Sequence, residues 1–409
     1  MHRYSFGIEE EYFVVSRRSA QLKAEPPDAF MKEARKELGA RLMPEILQSQ
    51  IEVATRPMLA PAEAAYELRS CRARLAEVGR RHGIGIVASG THPLALPHQQ
   101  RMTKKRRYKK VIDDLGMVGL GNALCGMHVH VEVPEPDHRV QIMHRLVPFL
   151  PLLLALSTSS PFWAGYETGL LGYRNAANDA LPRTGFPEMF QNLKEYEAYI
   201  AALVEPNIIP DSTYVWWALR PALQHPTLEL RLTDCCTSVD DAVAIASLYR
   251  ALVRHLVRHR ELNRNFSAVT RALSEENRWR AQRYGVDGTY IDVASKEAKS
   301  FGTLLDETIA LLADEIGTLQ LAAEMQHLRR IRERGTSAHL QLKLYRMLIK
   351  SGRRPRQALI EVAKWLRACT ERGEFVAFDQ PNGTRRSAKP AKAPPLQPHM
   401  NGRAVEPAV

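Results

Sequence analysis

Residues two apart in a β-strand share a face, and four short stretches of this sequence use that spacing to line up ionisable side chains. In Gly7–Tyr12, Glu9 and Glu11 share one face while Ile8, Glu10 and Tyr12 take the other. Cys125–Val133 sets His128, His130 and Glu132 against Met127, Val129, Val131 and Val133. Thr227–Leu232 sets Glu229 and Arg231 against Leu228, Leu230 and Leu232, and Gln50–Val53 carries Glu52, with Glu45 seven residues earlier. An antiparallel sheet with one wet face would alternate in this way without any chemistry. The polar residues here, however, are Glu and His, not the Thr, Lys, Ser and Gln that solvated sheets favour. Carboxylates crowded on one concave face repel one another unless cations hold them, and hard divalent metals take oxygen ligands with an occasional imidazole. The set therefore suits Mg²⁺ or Mn²⁺. Arg231 beside Glu229 adds a cation able to grip a phosphate, so metal-assisted phosphoryl transfer is the first reaction class to consider.

Other chemistries lack their residues. There is no G-x-x-x-x-G-K-[ST] loop, and Gly83-x-Gly85-x-x-Ala88 leads from a helix into a strand, the reverse of the dinucleotide-binding order. A G-x-S-x-G elbow is absent. Zinc prefers His and Cys to a carboxylate-rich set. The five cysteines (71, 125, 235, 236, 369) are scattered, without a C-x-x-C pair, and suggest reduced thiols. Trp216-Trp217, read as lying on a short strand before Arg220, either stacks a substrate or fills the core.

The elements that must position these groups read as an α+β body. Strand patterns cover 4–15, 50–55, 84–89, 125–134, 213–219 and 227–233, whereas 238–371 is almost entirely helical in its period. A helix over 61–82 starts at Pro61 and stops at Gly83. Ser238 with Asp241 three later resembles a capping box opening the next helix, and further helices are expected near 274–284, 293–334, 337–350 and 355–370. Residues 158–187 form a long loop rich in Gly, Pro, Asn and Thr, of the kind that usually carries function. Beyond about residue 376 no hydrophobic period survives, and residues 376–409 read as a basic, Pro-rich, disordered tail behind a catalytic domain spanning 1–375.

The formal net charge is +12, from 57 Lys and Arg against 45 Asp and Glu. Residues 101–110 (RMTKKRRYKK) hold seven cations and no anion, and 381–409 hold five cations and one anion, so nearly all of the surplus lies in these two stretches. A nucleic-acid partner is thus not the leading expectation. The longest apolar run, Leu146 to Leu156, contains Pro148 and Pro151 and falls short of the roughly 20 residues that a membrane span needs. With no secretory pattern at the N-terminus, the cytoplasm is expected.

The segments GIEEEYFVV (7–15), EILQSQIEVATRP (45–57), GTHP (90–93), RRY (106–108), CGMHVHVEVP (125–134), SPFWAGYETG (160–169), WWALRP (216–221), PTLELR (226–231), ENRWRAQRYG (276–285) and GTSA (335–338), in that order, resemble the type 2 glutamate–cysteine ligases, also described as carboxylate–amine ligases. The resemblance implies a glutamine-synthetase-like fold: a curved, mainly antiparallel sheet forming a funnel, with helices outside it and a helical C-terminal half. It also implies an ADP-forming ligation of a small carboxylic acid to an amine, using ATP and Mg²⁺ or Mn²⁺, in an enzyme for which a homodimer is expected. Carried over by motif position, Glu9, Glu11, Glu45, Glu52, His128 and Glu229 are metal ligands, with His130 a second imidazole candidate. Arg231 contacts the transferred phosphoryl group and, with Glu52, is taken as catalytic. Arg174, Arg220 and Trp217 are candidates for the substrate carboxylate or the nucleotide. The chain departs from the family pattern at Ala218, at Leu171-Gly172-Tyr173-Arg174, and where Asp234 is followed by Cys235-Cys236. These positions lie near the expected substrate mouth and not among the metal ligands, so the resemblance carries the ATP chemistry further than the identity of the acid and amine, for which glutamate and cysteine are the first expectation. Another acid and amine, or a non-catalytic nucleic-acid-binding protein on the same fold, are the alternatives.

Overall fold

A computed structural model describes residues 3–378. Seven strands form the main sheet: β1 (Phe6–Ser16), β2 (Leu42–Pro44), β3 (Gln50–Ala54), β4 (Ile84–Val87), β5 (Met127–Glu132), β8 (Leu219–Pro221) and β9 (Thr227–Leu230). Two further hairpins pair β6 (Phe162–Trp163) with β7 (Tyr166–Glu167) and β10 (Thr289–Ile291) with β11 (Ala298–Ser300). The main sheet runs β2-β3-β1-β5-β9-β8, with every pair antiparallel, and does not close into a barrel. β1 is its long central member. β3 flanks it along residues 9–13 and β5 flanks the other side along 6–10, where β4 takes over at residues 13–16.

The alternation read from the sequence sorts the two faces. Ile8, Tyr12, Met127, Val129, Val131, Leu228 and Leu230 all turn back into the core. Glu10 goes with them, which is costly for a charge unless it is fully paired. Arg72, on the helix Pro61–His82, supplies that pairing. Its Nε and Nη2 donate to the two Glu10 oxygens at 3.0 and 2.6 Å, and its remaining donors reach the Thr237 and Cys236 carbonyls at 2.7 Å each. The helix Val239–Arg258 packs beside Pro61–His82 and against β5.

The continuous helical run Pro136–Ser157 is long and apolar enough, by composition alone, to cross a bilayer, a feature the proline count of its sequence hid. Its apolar window is 83% buried inside the fold, and the helix Leu150–Ser157 at its end has every residue buried.

Several expectations are corrected. Residues 213–219 are not a strand: Ser212–Tyr214 is a 3₁₀ turn, and the pairing begins at Leu219. The tryptophan pair therefore sits in an extended segment held by single hydrogen bonds, Trp216 N–H to the Arg183 carbonyl and Ala218 N–H to the Gly185 carbonyl. The helix expected over 293–334 is interrupted. β10 and β11 precede three shorter helices, Phe301–Leu311, Ala313–Leu319 and Ala322–Arg334, and Gln320 turns left-handed between the last two. Ser238 does precede its helix, but no side-chain cap forms. Asp241 instead accepts from His327 and Arg334, both at 2.7 Å, and so ties two helices together. The 158–187 segment contains β6, β7 and a short helix, Tyr173–Asn178. Ordered packing continues past residue 376, because the Val376 carbonyl accepts from Trp365 Nε1 and Phe378 packs on the same indole. The remainder of the expected tail lies outside the described residues.

Candidate active site

Strand register brings the ionisable residues together. Glu11 of β1 stands opposite Glu52 of β3, Glu9 opposite His128 of β5, and His130 opposite Glu229 of β9, whose other neighbour is Arg220 of β8. Glu45 follows directly on β2, which pairs with β3 and sets Met43 opposite Glu52. The result is a continuous polar band across five strands, opening into a cavity that Glu9, Glu11, Glu45, Glu52, His128 and Arg231 line. Glu132 is on the same face but does not join them, since its carboxylate accepts from the backbone and hydroxyl of Ser5.

Three groups in the band could each hold a cation: Glu11, Glu45 and Glu52; Glu9, Glu52 and His128; and Glu9, His130 and Glu229. Within each, one donor atom per residue lies within 4.8 Å of the others. Glu9 and Glu52 each belong to two groups, so the three positions are adjoining. His128 Nδ1 is 3.3 Å from Glu9 Oε2, and its buried Nε2 has no hydrogen-bond partner among the described residues. His130 Nδ1 meets Thr227 Oγ1 at 2.9 Å, and its Nε2 is 3.4 Å from Glu9 Oε1.

The electrostatics differ along the band. Burial, followed by the charge on Glu11, pushes the Glu45 carboxyl up to about 8. Burial and then the charges on Glu9, Glu45 and Glu11 push Glu52 well above the usual carboxylate range. At the other end burial also opposes ionisation, but it is outweighed. His130 and then His128 hold Glu9 below the ordinary range, and Arg220 and then Arg231 hold Glu229 well below it. Burial, with Arg231 adding to it, lowers His128, whereas Glu9 overcomes burial to raise His130. Three mutually repelling carboxylates at one end and an unpartnered imidazole nitrogen beside them form a donor set that fits a hard divalent cation.

The arginines divide by how their donors are used. Arg220 is spent on its surroundings: Nε and Nη2 donate to Glu229 Oε2 at 3.0 and 2.7 Å, and Nη1 reaches the Thr213 and Val215 carbonyls. Arg231 Nη1 contacts Glu229 Oε1, and its side chain remains about one-fifth exposed on the cavity wall. Arg174 also lines the cavity, with its Nη1 in long contacts of 3.3–3.4 Å to the carbonyls of residues 231–233 and its Nε unpartnered. Trp217 is only 1% exposed and stacks on Tyr199, which makes it a core residue. Its neighbour Trp216 faces the cavity instead, with the Arg183 guanidinium over its ring. Trp217, carried over from the family resemblance as a substrate candidate, is thus not among the residues lining the cavity, where Trp216 stands instead. Asn178 and Leu181 also line the cavity and carried no signal, since they sit in the irregular 158–187 segment.

An open antiparallel sheet whose carboxylate- and imidazole-bearing face opens into a cavity, with helices packed against it, is a glutamine-synthetase-like fold. The chain belongs to glutamate–cysteine ligase family 2, whose model matches residues 5–361. A relative from Bradyrhizobium diazoefficiens, provisionally named glutamate–cysteine ligase 2, is 45% identical over 387 residues, covering 94% of this chain and 88% of that one. Among solved structures, a glutamate–cysteine ligase from Francisella tularensis in complex with AMP is similar with a TM-score of 0.65 at 12% identity, covering 90% of this chain and 89% of that one. A bifunctional glutathione synthetase from Pasteurella multocida gives 0.61 at 14% identity, covering 90% of this chain and 52% of the other.

Proposed function

We propose that this ligase-family chain joins a carboxylic acid to an amine at the expense of ATP, with L-glutamate as the acid and L-cysteine as the amine, giving γ-glutamylcysteine, ADP and phosphate. The observation that carries this reading is the band of Glu9, Glu11, Glu45, Glu52, His128, His130 and Glu229 across the sheet, with Arg231 at its edge. A carboxylate is a poor electrophile because its leaving group would be oxide. Phosphorylation replaces oxide with phosphate, and amine attack on the acyl phosphate then forms the amide. Mg²⁺ or Mn²⁺, when bound, would neutralise the crowded phosphoryl oxygens. The seven band residues would hold the ions, Glu9 and Glu52 being shared between adjoining positions. Arg231, on the cavity wall, would face the phosphoryl group as it moves, a fixed charge of the kind that dominates such catalysis. Its partner Glu229 keeps the guanidinium in place, so the cation needs little reorganisation during reaction. Residues 1–375 would act as one catalytic unit, and five buried free thiols suit the reducing cytoplasm.

The test is ADP release by purified protein with ATP, Mg²⁺, L-glutamate and L-cysteine, each omitted in turn, with mass detection of the amide. ADP release that needs neither acid nor amine would sink the reading. Turnover only with other acids and amines would keep the ligase and replace its substrates.

A further inference from the structure

A second group of convergent donors lies off the sheet, where the end of the helix Val239–Arg258 meets the short helix Ala313–Leu319. His255 and His259 are four residues apart, so their side chains emerge one above the other on the same face, and their ring centres are 4.2 Å apart. Buried Glu315 meets them from the other helix. Its Oε2 is 2.9 Å from His255 Nδ1, and its Oε1 accepts from Arg254 Nη1 and Arg258 Nη1 at 3.1 and 2.8 Å. One donor atom from each of His255, His259 and Glu315 lies within 4.8 Å of the other two. None of the three lines the cavity of the band.

Burial opposes ionisation of Glu315, but the hydrogen bonds from His255 and then Arg258 outweigh it and hold the carboxyl below its ordinary range, so an anionic oxygen faces the imidazoles. Because the arginines occupy Oε1, the carboxylate is already oriented to ligate through Oε2. His259 is exposed and its ring hydrogen-bonds to no described residue, so it can turn toward the carboxylate at little cost. Two ligands on a tetrahedral zinc ion, each about 2.0–2.2 Å from the metal, are about 3.4 Å apart, so the His255–Glu315 pair needs to open by only about half an ångström. The negative end of the helix dipole adds a modest attraction for a cation there. Arg254 and Arg258 oppose it, which disfavours hard ions held by charge alone and favours ions that bond strongly to neutral imidazole.

We infer that His255, His259 and Glu315 form a second cation site, for Zn²⁺ or a similar transition-metal ion, which ties the end of the helix Val239–Arg258 to the helix Ala313–Leu319. Two imidazoles and one carboxylate are a set that zinc takes with water in the fourth place, whereas the oxygen-rich band suits Mg²⁺ or Mn²⁺. The ion takes the place of the proton between His255 Nδ1 and Glu315 Oε2 and leaves both arginine contacts at Oε1 intact. Nothing in this arrangement depends on the ligation chemistry proposed above.

EDTA-treated protein is titrated with Co²⁺ and with Zn²⁺ in excess Mg²⁺, which competes for the band, and binding is followed by the visible absorption of bound Co²⁺, by calorimetry and by thermal melting. Wild type is expected to bind one equivalent with the strong visible absorption of four-coordinate Co²⁺, and Zn²⁺ should raise its melting temperature. His259→Gln alters only an exposed side chain and should melt like wild type without metal. It should weaken Co²⁺ and Zn²⁺ by at least the tenfold to hundredfold that loss of even an outer-shell partner costs, and Zn²⁺ should no longer raise its melting temperature. His255→Gln, which keeps a hydrogen-bond donor for Glu315, should behave in the same way. Glu9→Gln, in the band, should keep the equivalent. Wild type that binds no Co²⁺ in excess Mg²⁺, wild-type affinity in His259→Gln, or an equivalent lost in Glu9→Gln would overturn the inference. None of these measurements reads ADP release, so an inactive ligase would leave the outcome for this site intact.

Discussion

Glu9 of β1 and His128 of β5 are opposite one another in register, with Oε2 3.3 Å from Nδ1, and the other Glu9 oxygen lies 3.4 Å from His130 Nε2. One carboxylate thus bridges two imidazoles and belongs to two of the three candidate cation positions. Glu11 and Glu45 each belong to one. Glu9→Gln is therefore expected to weaken Mn²⁺ binding at two positions, and Glu11→Gln at one. With each lost ligand costing about tenfold or more in affinity, titration followed by electron paramagnetic resonance should give a lower stoichiometry for the Glu9 variant. Equal stoichiometry in the two variants would refute the shared-ligand arrangement.

The raised carboxyls give metal-free protein a definite pH response. Glu45 titrates near 8 in the fold and Glu52 is also shifted upward. Both bind protons more tightly folded than unfolded, so the stability they contribute is fully present below the unfolded carboxylate range and is lost as pH rises toward 8. Loss of the His130 contribution, whose folded value is raised, acts in the same direction above the ordinary histidine range. Glu9 and Glu229 are depressed, and their stabilising effect is lost only in more acidic solution. His92, lowered by burial to about 4, and His128, also lowered, gain stability as pH rises to the ordinary histidine range, so the fall in melting temperature in EDTA is expected above that range, from pH 7 to pH 8. Mg²⁺ or Mn²⁺ should restore more stability at pH 8 than at pH 5, and calorimetry in buffers of different ionisation enthalpy should show proton release on binding. A melting temperature that rises from pH 7 to pH 8 in EDTA would contradict this.

Glu229 has a structural duty besides any ligand role, because its carboxylate is the counter-charge for buried Arg220 and for Arg231. Removing one partner of a buried pair costs about 3–5 kcal/mol, so Glu229→Ala should lose both activity and stability. Arg231→Ala leaves Glu229 paired with Arg220 and should melt close to wild type, with kcat reduced on the order of a hundredfold. The measurements are chemical denaturation and steady-state ADP release. Arg231→Ala with full turnover would remove it from the phosphoryl site.

Much of the band could be read from sequence because strand alternation is a local property: once Glu9, His128 and Glu229 are on strands, their shared face follows. The register that sets Glu11 against Glu52 arises from hydrogen bonding between segments some forty residues apart, and no local pattern encodes it. The tryptophan pair marks the limit. Bulky aromatics in Tyr214–Trp217 have strand propensity, but that segment is held by isolated bonds to residues 183 and 185, so its alternation could not be anticipated. The same holds for 293–334, where a helical period continues through a hairpin and two breaks.

The basic run offers a final test. Tyr108, Val111 and Leu115 of the helix Arg106–Leu115 line the cavity, and Lys105 Nζ lies 5.2 Å from the centre of the Tyr108 ring. Lys109 and Lys110 pair instead with Asp113 and Asp114 one turn on, at 3.0 and 3.7 Å, which cancels their charge locally. If the run draws phosphates toward the cavity, Lys105→Glu should raise KM for ATP about three- to tenfold at low ionic strength. The effect should shrink as salt approaches 0.15 M, where screening acts over roughly 8 Å. Lys109→Glu should change KM less, because it already faces an aspartate. The rival view, that the run serves a nucleic acid, predicts the opposite ordering of assays: strongly salt-dependent RNA or DNA retention lost in Lys105→Glu, with KM for ATP unmoved.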